Sequence, residues 1–270
     1  MFNKAQNMIE EQKPNNSTET AILPMQCYVQ GVDNMELLKS QPNESVNMIY
    51  SDILYGTGRN FGEYQDLKPI RSDIESHYLP RLIEMKRVLK QNGTIYLQMD
   101  TRINHWMRIL MDEVFGYDNF RNEIVWCYAG GGIPKKNYPK KHDVILFYTK
   151  TSKYYFKHQM RKYSQTGSGR RSNGDKYNLD AETPVNDWWI DIAPQNTQSK
   201  DTTGYSTQKP KELISRFVLA STNEGDVVAD YYLGSGTTCE VALELGRKFI
   251  GCDINPRAIE ITKERIKRFI

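Results

Sequence analysis

Two short stretches of the chain carry side chains that could do chemistry together. In the first, an apolar run over residues 46–51 leads into Asp52-Ile53-Leu54-Tyr55-Gly56-Thr57-Gly58. If that run is a parallel strand, Asp52 and Tyr55 stand beyond its carboxyl end, where open α/β sheets bind ligands. A carboxylate beside an aromatic ring suits the exocyclic amine of a nucleobase. The lone pair of such an amine is delocalised into the ring, so the nitrogen is a poor nucleophile. A carboxylate and a backbone carbonyl accepting its N–H hydrogens, with a ring stacked on the base, favour a pyramidal nitrogen that can attack a sulfonium methyl. The plainer alternative is that Asp52 caps a turn and Tyr55 packs on the sheet.

The second stretch is Val227-Val228-Ala229-Asp230, then Tyr231-Tyr232-Leu233-Gly234-Ser235-Gly236-Thr237-Thr238, then a helical pattern and a run ending Gly251-Cys252-Asp253. Glycines at the end of a strand let a ligand approach the backbone, and an acid ending the next strand is placed to hold ribose hydroxyls. The third glycine of the dinucleotide fingerprint is missing, and no lysine follows as in a phosphate-binding loop. A nucleoside without a phosphate fits better, and S-adenosylmethionine is the common one. Against this stands a tight strand-to-helix turn that merely needs Gly234 and Gly236.

The elements that position these stretches follow an α/β rhythm. Residues 28–31, 35–40 and 46–51 read as strand, helix, strand. Ser72 and Glu75 fit a capping box opening a helix toward residue 89, with Pro80 as a kink and Asn92-Gly93 as its stop before a strand at 94–98. A helix is expected at 103–114. The β-branched and aromatic runs 123–128 and 143–149 should pair as antiparallel strands at a sheet edge. Clear periodicity is absent over 150–187, which reads as an insertion. A helix at 211–220, a strand at 227–230, a helix at 238–245, a strand at 249–253 and a helix at 257–269 complete the pattern, so one mostly parallel sheet should contain both halves.

Other classes drop out on composition. No apolar run approaches the length of a membrane span and the amino terminus lacks a secretory core, so a cytoplasmic protein is expected. Cys27, Cys127, Cys239 and Cys252 are scattered singly, which argues against a metal centre or a disulfide framework. Residues 1–22 read as a flexible arm, because Pro14-Asn15-Asn16-Ser17 break any apolar period, and residues 23–270 as a single domain.

The pairing of Asp52-Ile53-Leu54-Tyr55 with the 230–238 stretch resembles the amino-group DNA methyltransferases, which methylate adenine N6 or cytosine N4. Gly204-Tyr205-Ser206-Thr207-Gln208-Lys209-Pro210 and Lys141-His142-Asp143-Val144-Ile145-Leu146-Phe147-Tyr148 resemble two supporting segments. The order, catalytic motif first and cofactor motif last, is the permuted order of the β class. The resemblance implies a Rossmann-like S-adenosylmethionine-dependent fold. It implies that Asp52 accepts from the target amine, that Ile53 lends its carbonyl, and that Tyr55 stacks on a flipped base. It places Asp230, Tyr232, Gly234, Gly236, Thr237 and Thr238 in the cofactor loop and Asp253 on the ribose. Thr207 and Lys209 fall near the methionine end, and Asp33 near the cofactor adenine, where Val32 looks like an insertion. Two departures stand out. The proline pair of the family's D-P-P-Y is Ile53-Leu54, and its D-P-F is Asp230-Tyr231-Tyr232. Proline fixes φ and its replacements do not, so either activity is weakened to that of a DNA-binding protein or packing holds the loop. Asp rather than Ser at position 52 tilts the target toward adenine. C5-cytosine chemistry needs a cysteine after a proline, and none of the four follows one.

Charge then locates the partner. The chain total is only +3, yet residues 124–178 hold twelve Lys or Arg against two acids, a net of +10 interleaved with tyrosines. That is the mix of a surface that tracks phosphates. Lys135, Lys136, Lys140, Lys141, Arg161, Lys162, Arg170 and Arg171 are the candidate contacts to double-stranded DNA, the alternative being a solvated basic face. In the β class the target-recognition segment would fall at about 151–200. The resemblance also admits a homodimer and a cognate restriction endonuclease.

Overall fold

The computed structural model describes residues 27–60, 65–129, 132–162, 181–195 and 201–269. The amino-terminal arm, Arg170, Arg171 and much of the expected recognition segment lie outside the described residues. In chain order the elements are β1 (Cys27–Gln30), α1 (Asn34–Ser40), β2 (Val46–Asp52), α2 (Arg71–Val88), β3 (Leu89–Met99), α3 (Asn104–Phe115), β4 (Phe120–Cys127), β5 (His142–Thr149), β6 (Met160–Lys162), β7 (Glu182–Pro184), β8 (Trp188–Trp189), α4 (Lys211–Ser221), β9 (Val227–Asp230), α5 (Thr237–Glu244), β10 (Lys248–Cys252) and α6 (Pro256–Ile266). Eight strands form one sheet in the order β1-β10-β9-β2-β3-β5-β4-β8, and β6 and β7 pair in a small second sheet.

The strands at the centre are buried on both faces, which is why β2 and β9 read as nearly continuous apolar runs. Successive β2 side chains point to opposite sides. Ile49 joins the core built with α1, α2 and α3, whereas Met48 and Tyr50 join the core built with α4, α5 and α6. Helices thus cover both faces of a sheet that contains both halves of the chain, as its alternating pattern implies.

The site is set by where the connections diverge. β2 lies beside β9, with Met48 opposite Val228 and Ile49 opposite Ala229. From β9 the chain runs through α5 to β10 on one side, and from β2 through α2 to β3 on the other. A crevice opens between the two connections at the carboxyl ends of the strands, the usual ligand position in open α/β sheets.

Three expectations change in detail. The Ser72/Glu75 capping box does not form. The carbonyl of Ile70 already accepts from Asp73 and Ile74, so the helix starts upstream, and Glu75 is taken by Arg71 at 2.6 Å. Asn92-Gly93 does not separate helix from strand, because β3 begins at Leu89 and carries both residues through an irregularity where Val46 faces Leu89 but Met48 faces Thr94. A side chain at Gly93 would sit 2.9 Å from the Lys90 carbonyl and 3.1 Å from that of Asn47, so only glycine fits there. The antiparallel pairing is present, but β5, the reversed strand, is not at the edge. It lies between β3 and β4, and the Trp188–Trp189 strand adds outside β4.

Candidate functional site

The crevice brings together residues some 180 positions apart. Asp33, Asp52, Ile53, Tyr55, Thr207, Lys209, Asp230, Tyr232, Gly234, Thr237, Thr238 and Asp253 all line it. Of the residues expected around the cofactor and target amine, Gly236 alone stays behind the lining.

The Asp52 end is built by neighbouring strands. Asp52 Oδ1 accepts from the Tyr55 hydroxyl at 2.8 Å, and Oδ2 is held by the Lys209 ammonium. Burial pushes the Asp52 carboxyl up and Lys209 pulls it back down. The missing prolines are compensated by packing and hydrogen bonds. The Ile53 side chain is 3% exposed in the core, and its N–H donates to the Gln98 carbonyl at 3.1 Å, a bond no proline could make. The Tyr78 hydroxyl donates to the Leu54 carbonyl at 3.0 Å. Beyond Tyr55, buried Asp66 accepts from the backbone N–H of Gly56 at 3.1 Å and of Thr57 at 2.7 Å, fixing the turn.

The glycine-loop end has its own scaffold. Asp230 is buried and accepts from the Tyr232 N–H at 3.0 Å, Ser51 at 3.2 Å and Thr238 at 2.7 Å. Burial pushes its carboxyl up to about 7. Gly234 and Gly236 both have positive φ, at 53° and 75°. At Gly236 a Cβ would come within 2.8 Å of the Thr262 Cβ, so this glycine serves both backbone conformation and close packing. Asp253 accepts from the Gly234 N–H at 2.8 Å and the Asn255 N–H at 2.9 Å, which ties the acid to the loop. Asp33 caps α1 through the Met35 N–H at 2.8 Å and pairs with Arg81 at 3.2 Å. The Tyr232 hydroxyl lies 3.0 Å from His77 Nε2, and burial followed by the Arg81 charge lowers His77 to about 4. The loop, the two acids and the apolar walls suit a nucleoside at one end, with the Asp52 carboxylate at the other.

Sequence reasoning missed four contributors: Asp66, Gln98, Asp143 and the Lys209–Asp52 ion pair. Asp143 and Lys209 stood within recognised segments, whereas nothing local marks Asp66 or Gln98, whose partners are set by the fold.

The basic residues divide. Lys135, Lys136 and Lys140 are exposed and Lys141 half-buried on the segment between β4 and β5, where Tyr138 is 94% exposed. Lys162 is also exposed. Arg161 is a correction: it is 4% exposed, with its guanidinium 3.2 Å from Asp191 and 2.6 Å from Asn186. Arg216 binds the same Asp191 at 2.8 Å, so Arg161 belongs to a buried ion cluster and is not presented to phosphates.

A permuted α/β sheet with a glycine loop and the Asp52 carboxylate in one crevice defines a methyltransferase-like architecture. The chain belongs to the N6/N4 DNA methylase family, which it matches over residues 46–264. It is 34% identical over 234 residues to the type II methyltransferase M.HpaI of Haemophilus parainfluenzae, covering 86% of this chain and 71% of that one. It is 32% identical over 243 residues to the DNA adenine methyltransferase YhdJ of Escherichia coli (strain K12), covering 87% and 80%. Among solved structures, the M1.HpyAVI–SAM complex superimposes with a TM-score of 0.61 at 17% identity, covering 89% of this chain and 98% of that one. Among the described residues no helix is long and apolar enough to cross a membrane.

Proposed function

We propose that this DNA methyltransferase transfers a methyl group from S-adenosylmethionine to adenine N6 in a short double-stranded DNA sequence. The observation that carries the reading is the placement of Asp52 and Tyr55 on the same crevice as the Gly234 loop and Asp253. The adenine preference draws on Asp at position 52 and on the name of the relative YhdJ. The cofactor reading draws on the loop chemistry and on the fold shared with a solved SAM complex.

In this reading Gly234, Thr237, Thr238 and Asp253 hold the nucleoside, and Thr207 and Lys209 flank its methionine end. Bound S-adenosylmethionine supplies an electrophilic methyl on a sulfonium sulfur. Asp52 and the Ile53 carbonyl accept the N–H hydrogens of the flipped base, and Tyr55 stacks on its ring. The Lys209 ammonium offsets the burial that favours the neutral form of Asp52. Lys135, Lys136, Lys140 and Lys141 contact phosphates, and the β6–β7 sheet with β8 forms the described part of the recognition insertion at 151–200. The packed, hydrogen-bonded Ile53-Leu54 turn supports a working enzyme over a weakened DNA binder. Purified protein incubated with S-adenosylmethionine and DNA should yield N6-methyladenine by mass spectrometry of digested nucleosides. Recovery of N4-methylcytosine would move the target to cytosine on the same scaffold, and no modified base would refute the activity.

A further inference from the structure

Tyr55 has one hydroxyl proton and two carboxylates to receive it. Its oxygen lies 2.8 Å from Asp52 Oδ1 and also 2.8 Å from Asp143 Oδ2. Asp143, on β5, is 4% exposed and does not line the crevice, yet it is held as firmly as the groups that do. Tyr128 donates to its Oδ1 at 3.0 Å and Gln98 Nε2 to its Oδ2 at 2.9 Å. Gln98 is oriented in turn by the Tyr50 hydroxyl, which donates to Oε1 at 2.7 Å. The register explains the meeting, since Gln98 stands opposite both Asp52 and Ile145, and Asp143 opposite Trp126.

The charged and titratable groups around Asp143 are Asp52 and Tyr50 of β2, Tyr55 of the following turn and Tyr128 beyond β4. Lys209 sits on the far oxygen of Asp52, Arg102 acts on Tyr128, and Asp230 acts on Tyr50. Among the described residues no salt bridge reaches Asp143. Asp143 is thus a buried carboxylate held by three hydrogen-bond donors, one of which, the Tyr55 hydroxyl, it shares with Asp52.

Because Lys209 occupies Asp52 Oδ2, a target amine has Oδ1 as its acceptor, where the Tyr55 proton competes with it. We propose that Asp143 is a positioning residue for methyl transfer: it draws the Tyr55 proton away from Asp52 and receives, through Tyr55, the proton the amine gives up. The inference rests on the amine chemistry proposed above. The target nitrogen forms its bond to the methyl carbon while the sulfur keeps the electron pair of the broken S–C bond. The nitrogen then carries one proton too many, and that N–H bond breaks toward Asp52 Oδ1. The proton passes to the Tyr55 oxygen as the original Tyr55 proton moves to Asp143 Oδ2. Tyr55 ends unchanged, and Asp143 holds the proton until product release returns it to solvent.

Asp143→Asn keeps an oxygen that accepts from Tyr55 but cannot hold the extra proton. With saturating DNA and S-adenosylmethionine, its single-turnover rate at pH 7 should fall at least about tenfold and climb with pH, while affinity for each ligand stays within about twofold. A second readout needs no turnover. In cofactor-free protein, removing the Asp143 charge should move the Asp52 carboxyl titration, followed by NMR of ¹³C-labelled aspartate, to lower pH. An unchanged rate or an unchanged Asp52 titration overturns the inference. If Asp143→Asn fails to fold, Tyr55→Phe decides, since it keeps the ring and cuts the link. It should show the same loss and pH dependence, and a wild-type rate would overturn the relay. A wild-type protein that methylates no DNA refutes the proposed function itself. A wild-type protein that turns over beside an unimpaired Asp143→Asn refutes only this inference.

Discussion

Restoring the family's proline at position 53 should harm this chain. Ile53→Pro removes the N–H that donates to the Gln98 carbonyl at 3.1 Å, in a strand whose Gln98 residue is fully buried. Losing such a bond costs about 1 kcal/mol, and nearer 3 kcal/mol if the carbonyl is left unsatisfied. The proline ring also fills roughly one carbon less of a site where Ile53 is 3% exposed, worth about 0.8 kcal/mol. The expected loss is about 2–4 kcal/mol, or roughly 5–15 °C in Tm for a domain of this size. Ile53→Val is the control. It removes one carbon and keeps the N–H, so it should cost only about 0.5–1.5 kcal/mol. Thermal and urea unfolding of the two variants beside wild type isolate the hydrogen bond. If Ile53→Pro unfolds with wild type, or above it, then packing and the Gln98 bond do not hold this turn.

Other perturbations read other parts of the site. Lys209→Met removes the cation that offsets the burial of Asp52, so more Asp52 is protonated at neutral pH. The acid limb of the single-turnover pH profile, measured with saturating cofactor, should move to higher pH with at least about a tenfold loss at pH 7. Gly236→Ala places a methyl on Thr262 at a positive φ and should cost about 1–3 kcal/mol of stability together with cofactor affinity by calorimetry. Asp230 is held at about 7 in the fold against 3.8 ordinarily, so the folded state binds the extra proton between those values. The stability it contributes is present below the lower value and lost as pH rises through about 7. Asp230→Asn should remove that fall, on the order of 2–4 kcal/mol, from unfolding curves taken between pH 5 and 8. Replacing Lys135, Lys136, Lys140 and Lys141 by alanine should flatten the salt dependence of DNA binding by about 1 unit of log–log slope for each phosphate no longer neutralised, whereas Arg161→Ala should lower stability instead.

What the sequence discloses, and what it does not, follows from the range of the interactions. The glycine loop is legible because a strand, two positive-φ positions and an acid one strand later are all local signals. Asp52 and Tyr55 are legible for the same reason. The compensation for the lost prolines is not, because it comes from Gln98 and Tyr78 on other elements. Asp143 escapes notice since its role depends on β5 running antiparallel beside β3, which sets it within reach of Tyr55. Arg161 misleads in the opposite direction. A basic residue in a basic stretch reads as exposed, and only the fold reveals Asp191 and Asn186 closing over it. The capping box fails because a sequence match cannot tell that Ile70, two residues earlier, already starts the helix.

The most direct test is the methylation state of DNA from cells expressing the wild-type chain or Asp52→Ala, read by single-molecule sequencing and nucleoside mass spectrometry. Wild-type DNA should carry N6-methyladenine in one short motif. DNA from the Asp52→Ala strain should be unmodified there, although the variant still binds S-adenosylmethionine. Unmodified wild-type DNA, or the same methylation with Asp52→Ala, would contradict the account.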